Sequence, residues 1–145
     1  MAIQQTTPPE ARALLARGYR YIDVRTEAEF ANGHPEGAVN IPVVFIDPAT
    51  RQMNPNPEFV AVVAANFPKD TALVIGCQAG ARSQKAAELL EAAGYTKLVN
   101  MQGGYGGARD QSGRTIVPGW HECDLPVSTV CGPGETYATL RAAVK

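Results

Sequence analysis

Short apolar runs alternate along the chain with polar, turn-forming stretches, and their spacing predicts strands and helices in turn. The clearest run, Ala72-Leu73-Val74-Ile75-Gly76, is continuously apolar and bounded by turn signals, as a strand covered on both faces of a parallel sheet should be. A helical pattern follows from Gln84 to Ala93, with Ala86, Leu89, Leu90 and Ala93 on the buried face and Gly94 as its stop. Tyr21 to Val24 and Lys97 to Met101 read as further parallel strands, and Val39-Asn40-Ile41-Pro42 as a shorter one. Thr7-Pro8-Pro9-Glu10 opens a helix: Thr7 caps it, Pro8 takes its first position and Glu10 completes a capping box. Leu14 and Leu15 give that helix an apolar face, and Gly18 ends it. A short helix is expected from Thr26 to Asn32, stopped by Gly33, and another from Glu58 to Phe67, stopped by Pro68-Lys69-Asp70. Residues 43–57 are a Pro- and Asn-rich connection without periodicity, and residues 134–144 look like a terminal helix. Alternating β and α units imply an α/β fold, a parallel β-sheet flanked by helices on both faces.

Length and composition narrow this picture. The 145 residues fit one domain, residues 1–145, with enough chain for a proper core. A formal net charge of −1 offers no basic surface to nucleic acid or to a membrane, which leaves small molecules or proteins as partners. The chain has no apolar run of membrane-spanning length and no basic region ahead of an apolar core at its N-terminus, so a cytoplasmic location is expected, and the oligomeric state is left open with a monomer favoured. Three cysteines, an odd number, argue against a disulfide framework and for a reducing compartment. His121, Cys123 and Cys131 lack the paired spacings of a metal site, so no metal is expected, and Cys123 and Cys131 read as ordinary free thiols.

The stretch Cys77-Gln78-Ala79-Gly80-Ala81-Arg82-Ser83 carries the chemistry. Cys77 falls at the carboxyl end of its strand, where open α/β sheets place their ligands. A chain that curls around the sulfur from Gln78 to Arg82 aims successive backbone N–H groups inward as an anion-binding nest. The helix N-terminus and Arg82 add positive charge, and together these favour the thiolate, which is the nucleophile. Gly80 suits the tight loop because it accepts backbone angles that other residues resist. The plainer alternative is a small hydrophobic cysteine closing a strand. Asp23 and Arg25 end the strand that begins at Tyr21, on the same sheet edge as Cys77 if the two strands are parallel.

These residues resemble the rhodanese-like sulfurtransferases, whose active loop reads C-x-x-G-x-R followed by Ser or Thr. Tyr21-Ile22-Asp23-Val24-Arg25 with Glu29-Phe30, then Gly33-His34-Pro35-Glu36-Gly37-Ala38-Val39-Asn40-Ile41-Pro42, is similar to the family's first signature. Asn100-Met101-Gln102-Gly103-Gly104 is similar to its third, and all three occur in family order. The resemblance implies a single rhodanese-like domain that moves sulfane sulfur in two steps, with Cys77 as nucleophile and persulfide carrier and no cofactor. It implies that Gln78, Ala79, Gly80, Ala81, Arg82 and Ser83 hold a small anionic sulfur donor such as thiosulfate, and that cyanide, a small thiol or a protein thiol is the thiophilic acceptor. Asp23 and Arg25 are implied as supporting residues, Asp23 pairing with Arg82 or orienting loop amides. Equally, from the residues themselves, the Asp-Arg pair caps the next helix. The family's histidine at the place of His34 is structural, and transfer from an ionised thiolate requires no base there.

Beyond Gly104 the likeness thins. Trp120 and the turn Cys123-Asp124-Leu125-Pro126-Val127 come later than in the family, so residues 105–119 read as an insertion beside the pocket: either Arg109 and Arg114 attract an anionic donor or, equally, the segment is an exposed, mobile Gly-rich loop. Phosphatases and arsenate reductases of the same fold resemble Cys followed by five residues and then Arg, whereas four separate Cys77 from Arg82. A shorter loop is sized to a sulfur atom rather than to a tetrahedral oxyanion. A non-catalytic or sulfur-carrying regulatory module is the remaining alternative, and the presence of Cys77 speaks against the non-catalytic one.

Overall fold

The computed structural model describes residues 3–144. In chain order these form β1 Ile3–Thr6, α1 Pro8–Ala16, β2 Arg20–Asp23, α2 Glu27–Asn32, β3 His34–Pro35, β4 Val39–Asn40, β5 Val44–Ile46 and β6 Met53–Pro55. There follow α3 Phe59–Asn66, β7 Leu73–Gly76, α4 Ala81–Ala92, β8 Leu98–Met101, β9 Ala108–Arg109, β10 Thr115–Val117, a 3-10 turn His121–Cys123, β11 Val127–Ser128 and α5 Tyr137–Arg141.

Five strands make the central sheet in the order β1-β8-β7-β2-β4, every pair parallel. All four residues of β7 are buried, as its unbroken apolar run requires of a central strand. Alternate residues feed opposite faces. Ile22, Leu73, Ile75 and Leu98 join a core under α3, α4 and α5, built with Val62, Val63, Ala86, Leu90 and Leu140. Tyr21, Val74, Val99 and Met101 pack on the other face with Ala11 of α1, Phe30 of α2 and Trp120. Helices therefore cover both faces, as the β/α alternation implies. Among the described residues no helix is long and apolar enough to cross a membrane.

Local signals place most element ends. The Thr7 amide and hydroxyl both donate to the Glu10 carboxylate at the start of α1. Thr26 and Glu29 build the same reciprocal cap on α2, so Thr26, and neither Asp23 nor Arg25, caps that helix. His34 is structural: its ring stacks on Phe30 at 3.6 Å and its Nδ1 bonds the Phe30 carbonyl at 2.7 Å.

Four stretches of the chain differ from the sequence expectation. β1 has one half-buried apolar residue and two exposed glutamines, so no periodicity marks it, and it exists through its pairing with β8. Residues 43–57 contain the antiparallel pair β5 and β6, which is exposed or half-buried along its length and carries no apolar alternation. Helix α4 begins at Ala81, three residues before Gln84, because Gly80 at φ +117° turns the chain straight into it. Within residues 134–144 the helix is confined to Tyr137–Arg141, docked through Tyr137 and Leu140 and capped by Thr136.

The late tryptophan is a core residue. Trp120 is fully buried, meets Tyr21 edge-on at 6.0 Å between centroids, and donates its indole N–H to the Pro126 carbonyl at 2.7 Å. Trp120→Ala should lower unfolding free energy by about 3–5 kcal/mol, measurable by urea denaturation followed by circular dichroism.

Candidate active site

Parallel pairing sets Asp23 of β2 beside Gly76 of β7, so the two strands end together and Cys77 follows at the carboxyl edge of the central strand. The cysteine is 2% exposed. Its sulfur receives the Gly80 amide at 3.0 Å and lies 3.4 Å from the Ser83 hydroxyl, to which the thiol donates. Among the described residues Gly80 is the one backbone amide that bonds the sulfur itself, at the N-terminus of α4. Ser83 is fully buried, and its hydroxyl lies 2.5 Å from Asn100 Oδ1 and 3.1 Å from the Gly80 carbonyl.

The loop is held from behind by the segment after β8. The Tyr105 amide donates to the Cys77 carbonyl at 2.7 Å, and the Gly106 amide to the Gln78 carbonyl at 2.9 Å. This approach needs the bare Cα of Gly104: at φ +56°, a Cβ there would collide with the carbonyl of Cys77 and with Gln78. Gly104→Ala should therefore push the loop off its support. A stability loss of about 2 kcal/mol or more, read from urea midpoints, is the expected outcome.

Charged residues brace the loop from α2 and β2. Arg25 is buried against Asp23, with Nε at 3.0 Å and Nη2 at 2.8 Å from the carboxylate, and Nη2 also donates to the Gly33 carbonyl at 2.7 Å. Its Nη1 reaches Gln78 Oε1 at 3.3 Å, and its guanidinium lies 4.5 Å over the Tyr105 ring. Burial works against the Arg25 charge, and the Asp23 carboxylate more than offsets it, so the guanidinium is held above its ordinary value. The Asn40 side chain ties the carbonyls of Asp23 and Arg25 at 3.0 and 2.9 Å.

Arg82 does not pair with Asp23. Asp23 is already engaged by Arg25 two residues on, and Arg82 instead grips both oxygens of Glu29, at 2.8 and 3.0 Å. Glu29, seen in the sequence only as part of a motif, is thus the acidic partner of the active loop. Burial alone would raise its carboxyl, but the Arg82 hydrogen bonds, the Thr26 amide and the charges of Arg82 and Arg25 bring it down to about 2. A depressed carboxyl stabilises the fold above its unfolded value, and that contribution fades as pH falls through the folded one. Glu29→Gln should therefore destabilise the protein near neutrality by up to about 3 kcal/mol, with the gap closing between about pH 5 and about pH 2. Urea titrations at stepped pH measure it.

The remaining loop residues flank two grooves. Ala79 and Gly80 border one of about 610 Å³ with Gln84, Asn100 and Gln102. Ala108, Ile116 and Val117 of the β9/β10 hairpin form its lip. Gln78 borders another of about 420 Å³ with Arg25, Glu29, Tyr105 and His121, whose ring stacks on Tyr105 at 5.7 Å. Ala81 is exposed on the first turn of α4. Arg109 is committed to Glu122 at 2.7 Å and to the Gly106 carbonyl at 2.9 Å, so it is not available to attract a donor as expected, whereas Arg114 is exposed. Cys77, Cys123 and Cys131 are all free.

Comparison with known proteins agrees with this geometry. Residues 7–110 match the model of the rhodanese-like domain. The chain belongs to the rhodanese-like domain family. It is 41% identical over 95 residues to thiosulfate sulfurtransferase 16, chloroplastic, of Arabidopsis thaliana, covering 66% of this chain and 78% of that one. It is 44% identical over 100 residues to the thiosulfate:glutathione sulfurtransferase of Homo sapiens, covering 67% and 85%. Other plant relatives are longer, and the matched stretch spans 56%, 55% and 57% of three of them. Among solved structures, Rv0390 from M. tuberculosis superposes with a TM-score of 0.72 at 26% identity over 88% of this chain and 98% of that one. These likenesses support a sulfurtransferase on a rhodanese fold.

Proposed function

We propose that the chain transfers sulfane sulfur through a persulfide on Cys77. The observation that carries the reading is the position of that sulfur, at the carboxyl end of the central strand and 3.0 Å from the Gly80 amide that opens α4. The Cys77 thiol loses its proton to solvent, and the thiolate attacks the outer sulfur of a donor such as thiosulfate. A new S–S bond forms, the donor's S–S bond breaks, and sulfite leaves with the electron pair. The terminal persulfide sulfur then carries the negative charge toward the Gly80 amide and the helix N-terminus. A thiophilic acceptor attacks that sulfur and returns the Cys77 thiolate, which makes the reaction ping-pong. A small thiol in this role is in keeping with the name of the human relative.

Phosphoester or arsenate chemistry is disfavoured by the short loop, which turns into α4 at Ala81 and leaves four residues between Cys77 and Arg82. A purely structural module is disfavoured by the presence of Cys77 with a directed donor. Because Glu29 neutralises Arg82, the guanidinium acts by bracing the loop and by its charge near the sulfur, not by direct contact with it.

Intact mass after incubation with thiosulfate tests the reading: one added sulfur, removed by cyanide, is expected, and Cys77→Ser should show neither while keeping its fold. Arg82→Ala should weaken thiosulfate use strongly yet leave iodoacetamide alkylation of Cys77 within about an order of magnitude of the parent rate. Absence of the sulfur adduct together with phosphoester hydrolysis would overturn the assignment.

A further inference from the structure

Ser83 has one hydroxyl proton and stands between Cys77 and Asn100, and which way that proton points decides what the sulfur meets. If it points at the sulfur, the hydroxyl stabilises a thiolate. If it points away, the hydroxyl offers lone pairs, which suit a protonated thiol and oppose a thiolate. Both other oxygens near it, Asn100 Oδ1 at 2.5 Å and the Gly80 carbonyl at 3.1 Å, can only accept.

The orientation of the Asn100 amide follows from its neighbours. Asn100 Nδ2 donates to Gln5 Oε1 at 2.9 Å, Gln5 Nε2 donates to Gln84 Oε1 at 2.7 Å, and Gln84 Nε2 donates to a Glu88 carboxylate oxygen at 3.2 Å. An ionised carboxylate has no proton to give, so the last link has only one possible direction. Each primary amide carries donor and acceptor on opposite sides, so a direction imposed at Glu88 passes through Gln84, Gln5 and Asn100 in turn. It ends by presenting an acceptor, not a donor, to Ser83.

We propose that this one-way chain of hydrogen bonds, running from Cys77 through Ser83, Asn100, Gln5 and Gln84 to Glu88, holds the Ser83 hydroxyl proton away from the sulfur and so withholds a donor that a charged sulfur would accept. Gln5 and Asn100 are positioning residues that act through Ser83. The arrangement opposes the Gly80 amide, which favours the charged sulfur. Once the outer sulfur of the persulfide carries the charge, Sγ is a neutral, disulfide-like atom, and a lone pair facing it costs little. The chain thus penalises the free thiolate and spares the loaded intermediate. It rests on Cys77 being the reactive cysteine of the proposed function, but its test requires no sulfur transfer.

The test is a double-mutant cycle read by the iodoacetamide alkylation rate of Cys77 at pH 7, with mass spectrometry assigning the site. Gln5→Leu, on an exposed edge strand, removes the acceptor that orients Asn100 and lets its amide turn over, so the Ser83 proton can reach the sulfur. Alkylation should quicken by about fivefold, the scale of one net hydrogen bond. Gln5→Glu, which keeps an acceptor facing Asn100, should not quicken it. In a Ser83→Ala background both substitutions should leave the rate within about twofold of that background, because the relay has lost the group it orients. Equal responses with and without the Ser83 hydroxyl, or no response to Gln5→Leu in a protein whose thermal midpoint shows it folded, would overturn the proposal. Failure of the thiosulfate mass test would instead count against the proposed function and leave this result standing.

Discussion

The active loop depends on a backbone contact made at very short range, where the segment after β8 presses two amides against the carbonyls of Cys77 and Gln78. A strand-to-helix turn of this length has few internal hydrogen bonds, and the sulfur must sit in a fixed place beneath the α4 N-terminus. The support therefore comes from outside the loop. Gly104 makes it possible, since any side chain at its Cα would meet the Cys77 carbonyl first. The second glycine after the strand is thus a steric requirement of the cysteine loop, whereas Gly103 makes room for Val117 and Pro118.

Two ion pairs then divide the work on the other side. Arg25 and Asp23 are buried together, and the arginine spends its remaining donors on the Gly33 carbonyl and the Gln78 side chain. A charge that deep is tolerable only because almost every direction around it is filled. Arg82 and Glu29 are half-buried and join the first turn of α4 to the first turn of α2. The geometry changes the meaning of the arginine in the loop motif, because its fork is already occupied by a carboxylate. Positive charge near the sulfur is thereby moderated, and the Gly80 amide and helix terminus become the direct contacts.

Much of the architecture lay open in the sequence where local chemistry was decisive. The β7 run had to be central because it is apolar without alternation, and Thr7 with Glu10 had to begin a helix because their side chains satisfy the amides there. Cys77, Gly80 and Ser83 are adjacent in the chain, so their grouping required only that a loop join strand to helix. Less was visible where an element owes its existence to a neighbour. β1 carries two exposed glutamines and is a strand through β8, and the β5/β6 pair shows no apolar alternation.

Pairings across the chain were the part that only tertiary structure decided. Asp23 and Glu29 both suit Arg82 by charge, and which carboxylate takes the arginine depends on where the first turns of α2 and α4 come to lie at the sheet edge, a matter of distance rather than residue type. Arg109 looked free for a ligand, yet the turn at Gly119 brings Glu122 to it. The polar path from Ser83 to Glu88 joins residues from β1, α4 and β8, and no spacing along the chain announces it. Sequence by itself determined the fold class and the grouping of the cysteine loop, because periodicity and a contiguous motif are local properties. The partner of each charge and the direction of each amide were left to the folded state, because those are set by contacts between residues as many as 95 positions apart.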